Sequence, residues 1–132
     1  MKNCKPIDTP MAKNEILTKD MCPKTPKQIE RMRNVPYANA VGSLIYAMFC
    51  TRPDICFAVR MVSRYQSSPS DAHWKAVKRI MRYLRGTAGY SLCYQGNDLT
   101  LKGYTDVDWA GDEDERKSTS GFVFLLGNGA IS

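Results

Sequence analysis

Apolar positions follow two rhythms along this chain. From about residue 37 to 85 they recur three and four apart, the spacing of one helix face; after Gly86 the spacing shortens toward that of strands. In "YANAVGSLIYAMFC" (37–50), Val41, Leu44, Ile45 and Met48 mark a buried helix, with Gly42 expected to admit a close neighbour. In "TRPDICFAVRMVSRYQSS" (51–68), Ile55, Ala58, Val59 and Val62 share one side, and Arg60 and Arg64 lie one turn apart on another. Thr51 is expected to cap that helix, with Pro53 in its first turn. The best-defined element is "DAHWKAVKRIMRYLR" (71–85), opened by Ser70 and closed by Gly86. Trp74, Val77, Met81 and Leu84 are its expected core stripe. Ahead of these, Thr25 followed by Pro26 predicts a short helix over 26–34, stopped before Pro36.

Beyond Gly86, "YSLCYQGNDLTLKGYTD" predicts a hairpin with strands at about 90–95 and 99–106 around Gly96, Asn97 and Asp98. "GFVFLLGNGAIS" predicts two more strands around a turn at Gly127, Asn128 and Gly129. Helices first and strands second define an α+β chain, with three to four helices followed by a small antiparallel sheet. The predicted segments are an extended arm or linker over 1–25, a helical region over 26–87 and a strand region over 88–132. The arm contains three prolines and no sustained period.

Charge sharpens this division. The whole chain carries +6, but residues 1–87 hold sixteen Lys/Arg against six Asp/Glu (+10), and residues 88–132 hold three against seven (−4). A basic half suits a polyanion; the blander reading is a solvated surface. The five cysteines (Cys4, Cys22, Cys50, Cys56, Cys93) form no C-x-x-C pair, and His73 is the one histidine. A zinc site is therefore not expected, and the thiols read as reduced and intracellular, with Cys50 and Cys56 in the core. No signal peptide and no membrane-length apolar run is evident, so a cytoplasmic or nuclear location is expected. No small-molecule site is evident either.

Two groups of residues carry candidate chemistry. Lys75, Lys78, Arg79, Arg82 and Arg85 form a cationic stripe opposite the apolar one, suited to lie along a phosphate backbone. In the strand ending near Asp106, alternation puts Tyr104, Asp106 and Asp108 on one face, where paired carboxylates could hold Mg²⁺. A D-x-D pair at a strand end is also an ordinary solvated feature. The loop "GDEDER" adds four carboxylates in a solvated setting. His73, beside Trp74 near a helix start, reads as structural or exposed.

The blocks "MKNCKPIDTPM", "YANAVGSLIYAMFCTRPDICFAVRMVSRYQSSPSDAHWKAVKRIMRYLRGT" and "LKGYTDVDWAGDEDERKSTSGFVFLLGNGAIS" resemble the Pol polyprotein of copia-type LTR retrotransposons, over nearly the whole chain and in this order. The resemblance implies the end of a reverse transcriptase, with its thumb and connection-like helices, followed by the start of a ribonuclease H domain. In that fold the first strand carries the first metal-binding Asp, which "GYTDVDW" places at Asp106. The remaining carboxylates are expected beyond Ser132, and the polymerase's Tyr-x-Asp-Asp motif before Met1. Mg²⁺ is thus implied for the parent enzyme, while Asp106 alone is expected to bind it weakly at best. The expected activity of the chain by itself is no catalysis, with residual binding of an RNA–DNA hybrid. An alternative is raised by "RYLR" (82–85), which matches the R-x-L-R pattern of secreted effectors; Leu84, however, belongs to the expected core stripe. A translated remnant without function is a third reading, compatible with the first.

Overall fold

The computed structural model describes residues 4–13, 15–94, 100–108, 119–127 and 129–131, with positions 106–108, 119 and 120 described as backbone. It contains four α-helices followed by a three-stranded antiparallel sheet, an α+β chain. The helices are α1 (Pro26–Arg33), α2 (Tyr37–Cys50), α3 (Cys56–Ser63) and α4 (Asp71–Gly86). The strands are β1 (Leu101–Asp108), β2 (Thr119–Leu126) and β3 (Gly129–Ala130). Two compact units divide the chain, Met1–Gly89 and Tyr90–Ser132.

The helical unit closes around a single apolar cluster. Tyr37, Ala40, Val41 and Leu44 come from α2, Ala58, Val59 and Val62 from α3, and Ala76, Val77 and Ile80 from α4. Ile55 joins them from a 3₁₀ turn over Pro53–Ile55, and Leu17 from the N-terminal arm. Two tyrosines tie separate segments to this core through backbone carbonyls, so neither buried hydroxyl is left unpaired. Tyr37 Oη donates to the Val62 carbonyl at 2.7 Å, and Tyr65 Oη to the Leu17 carbonyl at 2.5 Å. Burial, with smaller contributions from Tyr65 and Cys22, pushes the Tyr37 hydroxyl well above its ordinary titration range.

Local chemistry explains the helix starts. Thr25 and Gln28 form a reciprocal capping box at α1, with Pro26 in the first turn. At α4 the residue three beyond the cap is His73, which takes the role usually filled by Glu or Gln. Its Nδ1 accepts from the Ser70 backbone N–H at 3.0 Å and lies 3.1 Å from Ser70 Oγ. The ring is fully buried and stacks on Tyr65, with centroids 4.0 Å apart and planes 8° from parallel. His73 is therefore structural: it caps α4 and fills the core with one side chain.

Several expectations need correction. The buried stripe of α4 is His73, Ala76, Val77 and Ile80, while Trp74, Met81 and Leu84 flank it, partly buried. Cys50 and Cys56 are exposed rather than core. Cys50 falls on the outer face of α2 with Gly42, Tyr46 and Phe49, all exposed, so helix phase overrides the usual preference of the thiol for the interior. Among the described residues nothing approaches within 4 Å of a Cβ built on Gly42, so it admits no close neighbour. Thr51 closes α2 instead of opening α3, which begins at Cys56 after the 3₁₀ turn. The segment expected to be an extended arm or linker contributes buried Leu17 to the core, with Met11 and Cys22 packed against it.

In the second unit the hairpin partner differs from the expected one. Tyr90–Tyr94 forms no strand, and the turn residues 96–98 lie outside the described residues. β1 instead pairs with β2, from Leu101 opposite Leu126 to Asp108 opposite Thr119. Tyr94 touches the sheet by its side chain, with its Oη donating to the Ala130 carbonyl at 2.9 Å. β2 and β3 pair antiparallel on either side of the expected turn, whose Asn128 lies outside the described residues; Gly127 has φ 53°, a left-handed conformation that favours glycine.

Candidate nucleic-acid interface

The cationic stripe of α4 sits opposite its buried face, as 3.6-residue periodicity requires. Lys75, Lys78, Arg79, Arg82 and Arg85 occupy successive i, i+3 and i+4 positions; Lys75, Lys78 and Arg85 are exposed, Arg79 and Arg82 half-buried. Their neighbours differ. Lys78 Nζ lies 6.0 Å from the centroid of the Trp74 ring, at the outer range of a cation–π contact. The three arginines reach the N-terminal arm. Arg79 Nη2 donates to Thr9 Oγ1 at 2.9 Å, Arg82 Nε to the Lys5 carbonyl at 2.7 Å, and Arg85 Nη1 to the Cys4 carbonyl at 2.7 Å. Asp71, at the start of α4, pairs with Arg31 of α1 at 3.3 Å, an exposed bridge of small energetic weight.

The arm–α4 contacts span 70 to 81 residues of sequence, so no local pattern could have signalled them. They also place "RYLR" in its structural setting. Both of its arginines donate to the arm, and Leu84 packs against the core. The tetrapeptide is part of a packed helix.

A second polar cluster was not anticipated from the sequence. Arg52, at the α2–α3 turn, makes a two-pronged contact with Asp54: Nε to Oδ1 at 3.0 Å and Nη2 to Oδ2 at 2.8 Å. The same guanidinium donates to Thr87 Oγ1 at 2.6 Å and lies 5.4 Å from the centroid of the Tyr83 ring. Tyr83 Oη donates to Asp54 Oδ2 at 2.6 Å. Hydrogen bonds from Arg52 hold the Asp54 carboxyl below the usual carboxylate range, against the opposing effect of partial burial, with Tyr83 adding a further donor. The cluster locks the turn between α2 and α3 onto the C-terminal end of α4, and so fixes the helix that carries the cationic stripe. The visible clue was "TRPD", an Arg and an Asp two residues apart around a proline, which the sequence pattern presents only as a helix start.

Asp106 lies in β1, opposite Gly121 of β2, and strand alternation places positions 104, 106 and 108 on one face of the sheet. Among the described residues, no group of three or more His, Cys, Asp or Glu is placed to hold a metal ion. Among the described residues, no helix is long and apolar enough to cross a membrane.

Comparison with known proteins follows the same blocks. The chain is 57% identical, over its full length, to the retrovirus-related Pol polyprotein from transposon TNT 1-94 of Nicotiana tabacum, and spans 10% of that protein. It is 44% identical over its full length to the Pol polyprotein from transposon RE2 of Arabidopsis thaliana, spanning 9% of it. Secreted RxLR effector protein 161 of Plasmopara viticola is 47% identical over 102 residues, 76% of this chain and 72% of that protein. No protein-family model matches the chain, and no solved structure matches it. The full-length identity to transposon polyproteins, across both the helical and the strand unit, identifies the chain as a segment of the retrovirus-related Pol polyprotein family of copia-type transposons.

Proposed function

We propose that this segment is a nucleic-acid-handling part of a Pol polyprotein, the thumb- and connection-like end of a reverse transcriptase joined to the first strands of a ribonuclease H domain. Its helical unit binds an RNA–DNA hybrid through the phosphate backbone, and the 132 residues by themselves cleave nothing. The observation that carries this reading is the cationic face of α4, in a half of the chain with a charge of +10, within a family of polyproteins. Lys75, Lys78, Arg79, Arg82 and Arg85 are the proposed backbone contacts. Asp106 is the proposed first carboxylate of the nuclease centre, binding Mg²⁺ weakly or not at all without the others. Contacts of this kind are indifferent to sequence and sensitive to salt, because each neutralised phosphate releases counterions.

Lys75 and Lys78 provide the cleanest test, since the three arginines also hold the arm. Replacing both with Ala should weaken hybrid binding about equally for all sequences and reduce the slope of log affinity against log salt by about 1.5. Fluorescence anisotropy over a salt series reads both quantities. Unchanged affinity and slope would remove α4 as the interface.

The effector reading is not favoured. Although the Plasmopara relative bears that name, the arginines of "RYLR" hold the arm and its leucine packs on the core, so the tetrapeptide is folded into α4.

A further inference from the structure

We propose that residues 4–9 form a strap over the cationic face of α4, which a nucleic-acid backbone must lift in order to bind there. This rests on the nucleic-acid reading of α4 given above.

The strap runs antiparallel to the helix. Cys4 meets Arg85, Lys5 meets Arg82, and Thr9 meets Arg79, nearest the helix start. Between these contacts, Pro6 and Ile7 cross Gly86 so closely that a Cβ built there would lie 2.9 Å from Pro6 Cβ and 3.4 Å from the Ile7 carbonyl oxygen. Gly86 is therefore the notch in which the strap rests. The acceptors in these three contacts are two backbone carbonyls and a hydroxyl, all neutral. Its own side chains from 4 to 9 contain one Lys and one Asp, so it brings no net charge to the arginines. A phosphate oxygen is the stronger acceptor for a guanidinium, because the hydrogen bond is then charge-assisted on both sides.

A second observation points the same way. Arg79 Nε is shielded from solvent and has no hydrogen-bond acceptor among the described residues. A buried donor left unsatisfied is a standing cost. Lifting the strap re-exposes this face of the guanidinium to water or to a phosphate. Among the described residues, the arm thus holds the arginines through neutral acceptors and leaves the Arg79 Nε donor unsatisfied, which is the profile of an occupant that a polyanion can displace. Lys75 and Lys78 lie on the same face and are exposed, so they offer a first foothold for the incoming backbone before the arginines are released.

Gly86→Ala in the full chain tests the strap without touching any cation. Gly86 is the last residue of α4 and does not have a positive φ, so alanine is accepted by the backbone and only the arm is pushed away. Binding of an RNA–DNA hybrid should tighten about 3- to 10-fold at low salt, and the salt slope should steepen by roughly 1–2 as one or two further phosphates are engaged. A measurement on the unaltered chain runs beside it. ¹⁵N relaxation at Lys5, Ile7, Asp8 and Thr9 should report an ordered arm in the free protein and a mobile one when hybrid saturates it. Salt-sensitive binding with the arm still ordered, or unchanged affinity in the Gly86→Ala chain once its arm is mobile, would overturn the strap and leave the nucleic-acid reading standing. Absence of binding by both chains at low salt would overturn the two together.

Discussion

Replacing Ile80 with Ala is expected to cost the helical unit about 2–5 kcal/mol. Ile80 is 1% exposed and lies in the cluster where α2, α3 and α4 meet. Truncation removes buried methyl and methylene groups and leaves a cavity that three helices cannot readily close. A unit of about ninety residues has, at roughly 0.05–0.15 kcal/mol per residue, a total stability of about 4–13 kcal/mol, so one such change can consume much of it. For a unit of this size each kcal/mol shifts the midpoint by roughly 4–8 °C. Thermal or urea unfolding followed by far-ultraviolet circular dichroism reads the loss directly. A change below about 1 kcal/mol would mean that Ile80 is not at the centre of the core.

The second large effect is expected at Arg52. Its side chain is 14% exposed and serves Asp54, Thr87 and the Tyr83 ring together. Arg52→Ala leaves the Asp54 carboxylate with Tyr83 as its remaining side-chain donor among the described residues, and frees the end of α4. Breaking a fully buried pair costs more, but Asp54 is 39% exposed and regains water, so the expected loss is about 1–3 kcal/mol. Arg52→Lys should recover only part of it, because an ammonium cannot span both carboxylate oxygens and the Thr87 hydroxyl at once. The pair Arg52→Ala and Asp54→Ala should be clearly non-additive, since each change removes the same contacts. Additive losses would show that the cluster is incidental.

The same cluster sets a pH dependence with a definite sign. The folded Asp54 carboxyl titrates below its ordinary range, so its contribution is fully present above the unfolded value of about 3.9 and fades as the pH falls through the lower folded value. Asp54→Asn should therefore lower stability at neutral pH and make it less dependent on pH below about 4. An acid titration of unfolding in both proteins checks this.

Much of the helical unit was legible in the order of residues. Val41, Leu44, Ile55, Ala58, Val59, Val62 and Val77 are all buried as their spacing implied, because three- and four-residue recurrence is a direct image of a helix face. Thr25 and Pro26 announced α1 because capping chemistry is local. The misses share a physical cause. Cys50 and Cys56 were placed inside by residue type, yet phase along α2 and α3 turns them outward. His73, read as structural or exposed, is structural, but its burial depends on partners, Ser70 and Tyr65, that the sequence pattern did not name. Arg52 reaching Thr87, and Arg82 reaching Lys5, depend on how the chain returns on itself over 35 and 77 residues. No window of sequence holds that information. The strand expected at 90–95 failed for a related reason: β1 found its partner in β2, further along the chain, and the choice between neighbours is a tertiary one.

For the candidate site the division is similar. Periodicity alone placed Lys75, Lys78, Arg79, Arg82 and Arg85 on a single face of α4. That three of them also hold the arm appeared only in three dimensions, and it changes how the face would be used. The lysines are available at the surface, while the arginines are shared with Cys4, Lys5 and Thr9.

The most direct test of the central claim is a titration of the purified chain with an RNA–DNA hybrid across a salt series, with Mg²⁺ present and the hybrid analysed afterwards for cleavage. The predicted result is binding that falls steeply with salt and leaves the hybrid intact. Absence of binding at low salt would contradict the assignment of α4 as a phosphate-backbone interface, and cleavage that is lost in Asp106→Asn would contradict the claim that this segment is catalytically incomplete.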